Sequence, residues 1–77
     1  MDKFGERIKR LRIEKGLMMK EVAEAVDITA PSITMYESGQ RHPEYKTLIK
    51  LCKLFDVSAD YLLGLSDDPT PPRRGVG

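Results

Sequence analysis

A single cysteine, Cys52, stands in the 77-residue chain, so no internal disulfide can form. Histidine is as scarce, with His42 alone. A structural metal site needs several Cys or His at ligand spacing, and these two isolated residues do not supply one. Nor is there a large excess of one charge: 13 Lys and Arg against 12 Asp and Glu leave a formal net charge of +1. Net charge therefore gives no direct argument for nucleic acid, and charge placement has to carry it. Long apolar runs are missing too. No stretch approaches the roughly 20 apolar residues of a membrane span, and the N-terminus lacks a signal-peptide core. These absences predict a cytoplasmic protein with a reduced Cys52, no cofactor, no small-molecule ligand and no membrane partner. A chain this short buries only about 60% of its unfolded surface. Its core must be plain apolar packing, helped by dimerisation.

What is present is helical periodicity. Phe4, Ile8 and Leu11 share one face of a helix from about 4 to 15, with Asp2 as N-cap and Gly16 as its stop. Val22, Ala23 and Val26 mark a second helix over 19–26. A third, over 30–37, starts at an N-cap Thr29, tolerates Pro31 in its first turn, points Ile33 and Tyr36 inward and ends at Gly39. Leu48, Leu51, Cys52 and Phe55 form the stripe of a fourth helix over 45–55. A fifth, over 59–63, is capped by Ser58 and stopped by Gly64. The spacing predicts an all-α, five-helix domain over residues 1–65. Residues 66–77, rich in proline and charge, read as a flexible tail or the start of a linker.

The second and third helices are joined by only Asp27, Ile28 and Thr29. So short a connection forces a steep crossing, the helix-turn-helix corner. It holds the third helix outward, where it can enter a major groove about 12 Å wide. Positive charge collects at Lys9, Arg10, Arg12 and Lys15, and again at Arg41, His42 and Lys46.

Several segments in order carry a closer likeness: Arg7–Arg12, Val22–Thr29, Ser32–Gly39, Arg41–Pro43, Thr47–Cys52 and Val57–Gly64. With these the chain resembles the Xre/Cro–lambda-repressor-like helix-turn-helix family of transcriptional regulators. The resemblance implies a five-helix fold, double-stranded DNA as partner, and bases read by Thr29, Ala30, Pro31, Ser32, Thr34 and Met35. It implies phosphate contacts around Met19, Lys20, Ser38, Gln40, Arg41 and Lys46. It also implies an ion pair between Arg12 and Glu37 that ties the first helix to the end of the third.

The sequence departs from the family where the second helix begins. Ser or Thr followed by Gln is usual there; this chain has Met18 and Met19. A missing hydroxyl cap costs about 1 kcal/mol, and a usual DNA contact is gone, with Lys20 as partial compensation. The third helix has no Gln, Asn, Arg or Lys, so bidentate base reading is absent. Short hydroxyls and apolar contact with thymine methyls remain, predicting A·T-containing half-sites read partly through DNA shape.

Other features read more plainly. Lys9, Arg10 and Lys15 form a solvated face, His42 is a loop histidine and Cys52 a core thiol. Asp67 and Asp68 sit where nothing fixes a catalytic geometry. Tyr61, Leu62, Leu63 and Leu65 are more apolar than a short terminal helix needs, predicting a two-fold dimer interface, with Ile13 and Leu54 as further surface candidates. The sequence thus predicts a sequence-specific DNA-binding transcriptional regulator, a repressor binding a two-fold operator as a dimer through its third helix, rather than an enzyme; if residues 66–77 begin a linker, the parent is a larger prophage-type repressor. The alternative is a protein-interaction module of the same fold, antitoxin or anti-repressor in type, with weakened DNA binding.

Overall fold

The structure is a computed structural model and describes residues 3–72. It contains α1 Lys3–Glu14, α2 Met19–Ala25, α3 Ala30–Ser38, α4 Tyr45–Phe55 and α5 Ala59–Leu63, with no strand among the described residues. The proposed Asp2 cap and residues 73–77 lie outside the described residues.

Each helix is placed by the residues that face inward. Ile8 of α1, Val22 of α2, Ile33 of α3, Leu51 of α4 and Leu62 of α5 are all buried to within 2% and meet in one core, with Val26 at the corner. Helix α1 packs on both α3 and α5, α2 packs on α3, and α4 packs on α5. Among the described residues the core holds no buried polar or charged side chain. No described helix is long and apolar enough to cross a membrane.

One close approach fixes how α1 meets α3. Gly5 is buried where α1 starts, and a Cβ there would lie 2.5 Å from the Tyr36 carbonyl oxygen and 2.7 Å from that of Glu37. Only a residue without a side chain lets the two backbones touch. Beside this contact the Phe4 and Tyr36 rings meet edge to face at 6.1 Å, and the His42 ring lies 6.3 Å from Phe4. His42 is thus a loop histidine that leans on the core.

The caps differ from expectation in two places. Thr29 occupies the N-cap of α3 in extended conformation, but its side chain makes no cap hydrogen bond; its hydroxyl is 3.0 Å from that of Ser32. At the start of α2, the Glu21 carboxylate accepts from the Met18 N–H at 2.7 Å. That bond supplies the returning half of a capping box and offsets part of the missing hydroxyl. Ser58 does cap α5, accepting from the Tyr61 N–H at 3.0 Å.

Two expectations need correction. Tyr61 and Leu62 are core residues, at 9% and 0% exposure, so neither can line a dimer interface. Helix α5 has one turn in which to cover both α1 and α4, and it spends these two residues inward. Leu63 at 52% and Leu65 at 76% stay exposed, as does Ile13, while Leu54 packs against the core. Residues 66–72 are also not free of the body. Arg7 donates to the carbonyls of Tyr61 and Ser66 and to Asp67, and the Ser58 N–H donates to the Pro69 carbonyl at 3.0 Å. Composition shows too little apolar surface to order this segment; backbone carbonyls, invisible to composition, do the anchoring.

Candidate nucleic-acid interface

The corner between α2 and α3 turns at Asp27, whose φ of 62° lies in the left-handed region. A side chain is strained there, and glycine, asparagine or aspartate tolerates it best. The Ile28 N–H donates to the Ala23 carbonyl at 2.9 Å, closing the end of α2. Two residues later α3 begins, so its outward face is fixed by the corner and by Ile33 and Tyr36 on its inner side.

That outward face holds Pro31, Thr34, Met35 and Ser38, all exposed and spaced one helical turn apart, with Thr29 exposed just ahead. Ala30 and Ser32 are half-buried at its edges. The six positions singled out for base contact therefore cluster at the start of α3, with Pro31, Thr34 and Met35 exposed on its outer side and Thr29 exposed at its N-cap. Among the phosphate-side positions, Lys20, Ser38, Gln40, Arg41 and Lys46 are exposed.

Met19 opens α2, so any phosphate contact there falls to its backbone N–H and not to its thioether. The side chain is half-buried against the core, and its sulfur accepts from the Thr34 hydroxyl at 3.1 Å. Met19 thus braces α3 from α2. The bond spends the Thr34 proton inward and leaves the oxygen to accept from a base amine. The other hydroxyls are also engaged: Thr29 with Ser32, and Ser38 with the Met35 carbonyl at 3.1 Å. Short side chains held this way form a stiff, nearly uncharged surface.

The one charge on α3 is neutralised. Glu37 is half-buried with its carboxylate tied to Arg12, which donates through Nε to Oε2 at 2.7 Å and through Nη2 to Oε1 at 3.2 Å. Arg12 also donates to the Leu17 carbonyl at 3.0 Å. Side-chain exposures of 14% for Arg12 and 5% for Glu37 place this fork out of bulk water. The Glu37 hydrogen bond raises the Arg12 guanidinium still higher. One guanidinium thereby joins α1, the α1–α2 turn and the end of α3.

Two residues that matter here carried no sequence signal of their own. Gly5 looks like an ordinary glycine inside a helix until the α3 carbonyls are placed above it. Arg7 sits in a basic run, yet its side chain lies 4.1 Å over the Tyr61 ring and turns inward, away from solvent. Among the described residues no cluster of His, Cys, Asp or Glu suits a metal ion.

The geometry is that of a helix-turn-helix domain, and comparison with known proteins agrees. The helix-turn-helix family model matches residues 8–62. The chain belongs to the helix-turn-helix family of Xre/Cro type. It is 47% identical over 60 residues to the uncharacterised HTH-type transcriptional regulator YqaE of Bacillus subtilis strain 168, covering 78% of this chain and 52% of that protein. The P22 c2 repressor in complex with a synthetic operator superposes with a TM-score of 0.78 at 27% identity, covering 82% of this chain and 96% of that one. The biofilm regulator SinR in complex with DNA gives a TM-score of 0.71 at 33% identity, covering 78% and 97%. The chain spans about half the length of the curated relatives it matches.

Proposed function

We propose that the chain is a sequence-specific DNA-binding transcriptional regulator, a repressor that binds a two-fold operator as a homodimer with α3 in the major groove. The observation that carries this reading is the outward face of α3: Pro31, Thr34, Met35 and Ser38 exposed together on a helix whose single charge is cancelled by Arg12. A groove lined by phosphates accepts such a surface without repulsion. Thr29, Ala30, Pro31, Ser32, Thr34 and Met35 would meet bases. Lys20, Ser38, Gln40, Arg41 and Lys46 would grip the backbone, positioning without reading sequence. The similar proteins support the reading: one is named a transcriptional regulator, and two are solved on DNA.

Self-association is assigned to Leu63 and Leu65, the exposed remainder of the apolar set at the end of α5. A two-fold pair would place the two α3 helices about 34 Å apart, one turn of the duplex. Sedimentation equilibrium of the Leu63→Ser/Leu65→Ser double variant tests this: a shift toward monomer is expected, and an unchanged distribution refutes the assignment.

A second reading, a protein-interaction module, draws on the sulfur-rich patch of Met18, Met19 and Met35, because methionine suits adaptable protein contacts. Electrophoretic mobility shift with genomic fragments separates the two. Saturable binding that weakens with salt supports the regulator, and absence of binding at low salt supports the interaction module.

A further inference from the structure

Residues 66–72 cross the domain on a continuous set of bonds. The Arg7 guanidinium holds the start, donating to the Ser66 carbonyl at 2.6 Å and to the Asp67 carboxylate at 2.7 Å. Lys3 adds a long contact to the same carboxylate at 3.9 Å. The middle is turned by the Thr70 N–H donating to Asp68 at 3.0 Å and fastened by the Ser58 N–H to Pro69. The segment ends with Pro71 and Pro72 beside the junction of α4 and α5. There they wall a groove of about 250 Å³ together with Ile49, Cys52, Val57 and Ala59, with Lys53 and Asp56 at its margin.

We propose that residues 66–72 are a latched strap, that Arg7 and Asp67 are its latch, and that its diproline end walls the groove between α4 and α5 and narrows access to Cys52. Pro71 and Pro72 of the chain itself form the outer wall of this groove, set against the α4–α5 junction. Proline suits the seat: its fixed φ lets the strap lie down with little loss of chain entropy, and it has no N–H to leave unsatisfied against apolar walls. The latch lies at the other end, where one guanidinium binds two carbonyls and a carboxylate. Its contact with Asp67 is open to water, so it is strong enough to bias the strap and weak enough to release it. Docked, the strap shields Val57 and part of Cys52; released, it bares both beside Ile49, which is exposed already.

The only cysteine reports on this directly. A water-soluble aromatic disulfide is attacked by the Cys52 thiolate; the mixed disulfide forms, the aromatic thiolate leaves and is read by its absorbance, and the thiol proton passes to buffer. Burial already pushes the Cys52 thiol up, which slows the reaction in the closed state. The full chain should react more slowly folded than in denaturant. Asp67→Ala should react about two- to fivefold faster than the parent, the range set by loss of one exposed charged contact. The pair Pro71→Gly/Pro72→Gly should react faster still. Equal rates in all three folded chains would overturn the proposal. If Asp67→Ala changes the helical signal, the parent chain decides the matter. Raising salt should speed both the thiol reaction and exchange of the Ser58 amide, and no change in either overturns the strap.

Discussion

Asp27 and Asp56 both carry a side chain at positive φ, 62° and 55°, at the ends of α2 and α4. Neither is glycine, although each turn takes a conformation that favours it. Asp27 recovers something through an exposed contact with Lys50 at 3.3 Å, which is worth little. Replacing either by Gly relieves strain and loosens the unfolded chain, with a net gain of about 0.5–1 kcal/mol. A rise in melting temperature of about 2–8 °C for each is expected by calorimetry. Gly5 behaves in the opposite sense. Gly5→Ala drives a Cβ into the Tyr36 and Glu37 carbonyls, neither of which is the end of a flexible side chain. A loss of about 1–3 kcal/mol is expected from denaturant unfolding. At this scale the sequence was only partly legible. Ser58 as a cap and Gly39 as a stop are local signals, and local signals survive folding. The role of Gly5 depends on a helix 30 residues further along, and nothing near it in the chain announces that.

At the scale of elements, the Arg12–Glu37 fork and the Arg7–Asp67 latch make different demands. The fork is nearly out of water, so removing one partner leaves the other desolvated and alone. Arg12→Ala should cost about 3 kcal/mol, whereas Arg12→Met/Glu37→Leu should restore most of that stability. If the pair serves chiefly to aim α3, the restored double variant should still bind DNA less well than the parent. The latch has an exposed carboxylate on an inward-turned guanidinium, and it answers to pH. The Arg7 hydrogen bond first, then the charge of Lys3 and that of Arg7, hold the Asp67 carboxylate below its usual range. A carboxyl whose folded pKa is depressed contributes stability above its unfolded value and loses it as pH falls through the folded value. Thermal melts of the parent and Asp67→Asn should therefore differ by a constant amount from about pH 7 to about pH 5 and converge only as the pH falls through the depressed Asp67 value. A gap that persists in acid would mean the bond does not depend on the charge. Helix limits were readable from periodicity because one apolar stripe faces one core. The strap was not, because it is held through carbonyls and a guanidinium that any sequence of similar composition would also possess. Tyr61 and Leu62 were assigned to the surface for a related reason: apolar count alone does not tell which side of a one-turn helix faces in.

For the whole molecule, the balance of charge is the point of interest. A net charge of +1 gives little long-range attraction, so steering must come from exposed Lys20, Arg41 and Lys46 close to α3. In the proposed dimer, three cations from each protomer would give about six phosphate contacts, so affinity should fall about a thousandfold between 50 and 200 mM salt. Loss of Arg41 should weaken binding to all sequences alike and reduce the salt slope by about 1 per protomer, without changing which site is preferred. The order of the helices and the face that α3 presents were legible because the helix-turn-helix corner is encoded locally, by a three-residue connection between two apolar stripes. The bracing of Thr34 by Met19 was not, since the methionine stands where the family has a polar residue and its sulfur does a different task.

The central claim, that α3 is a rigid reading surface for duplex DNA, is tested most directly by selecting bound sequences from a random duplex pool and titrating the winner. The parent chain and Thr34→Glu would be compared, with Thr34→Val as the control for loss of the Met19 contact alone, because Thr34 is exposed. The account predicts enrichment of a two-fold, A·T-containing site and at least about a tenfold loss of affinity in the variant, from a carboxylate set against the bases in place of an acceptor hydroxyl. A pool that yields no enriched sequence, or a Thr34→Glu variant that binds the selected duplex as tightly as the parent, would contradict it.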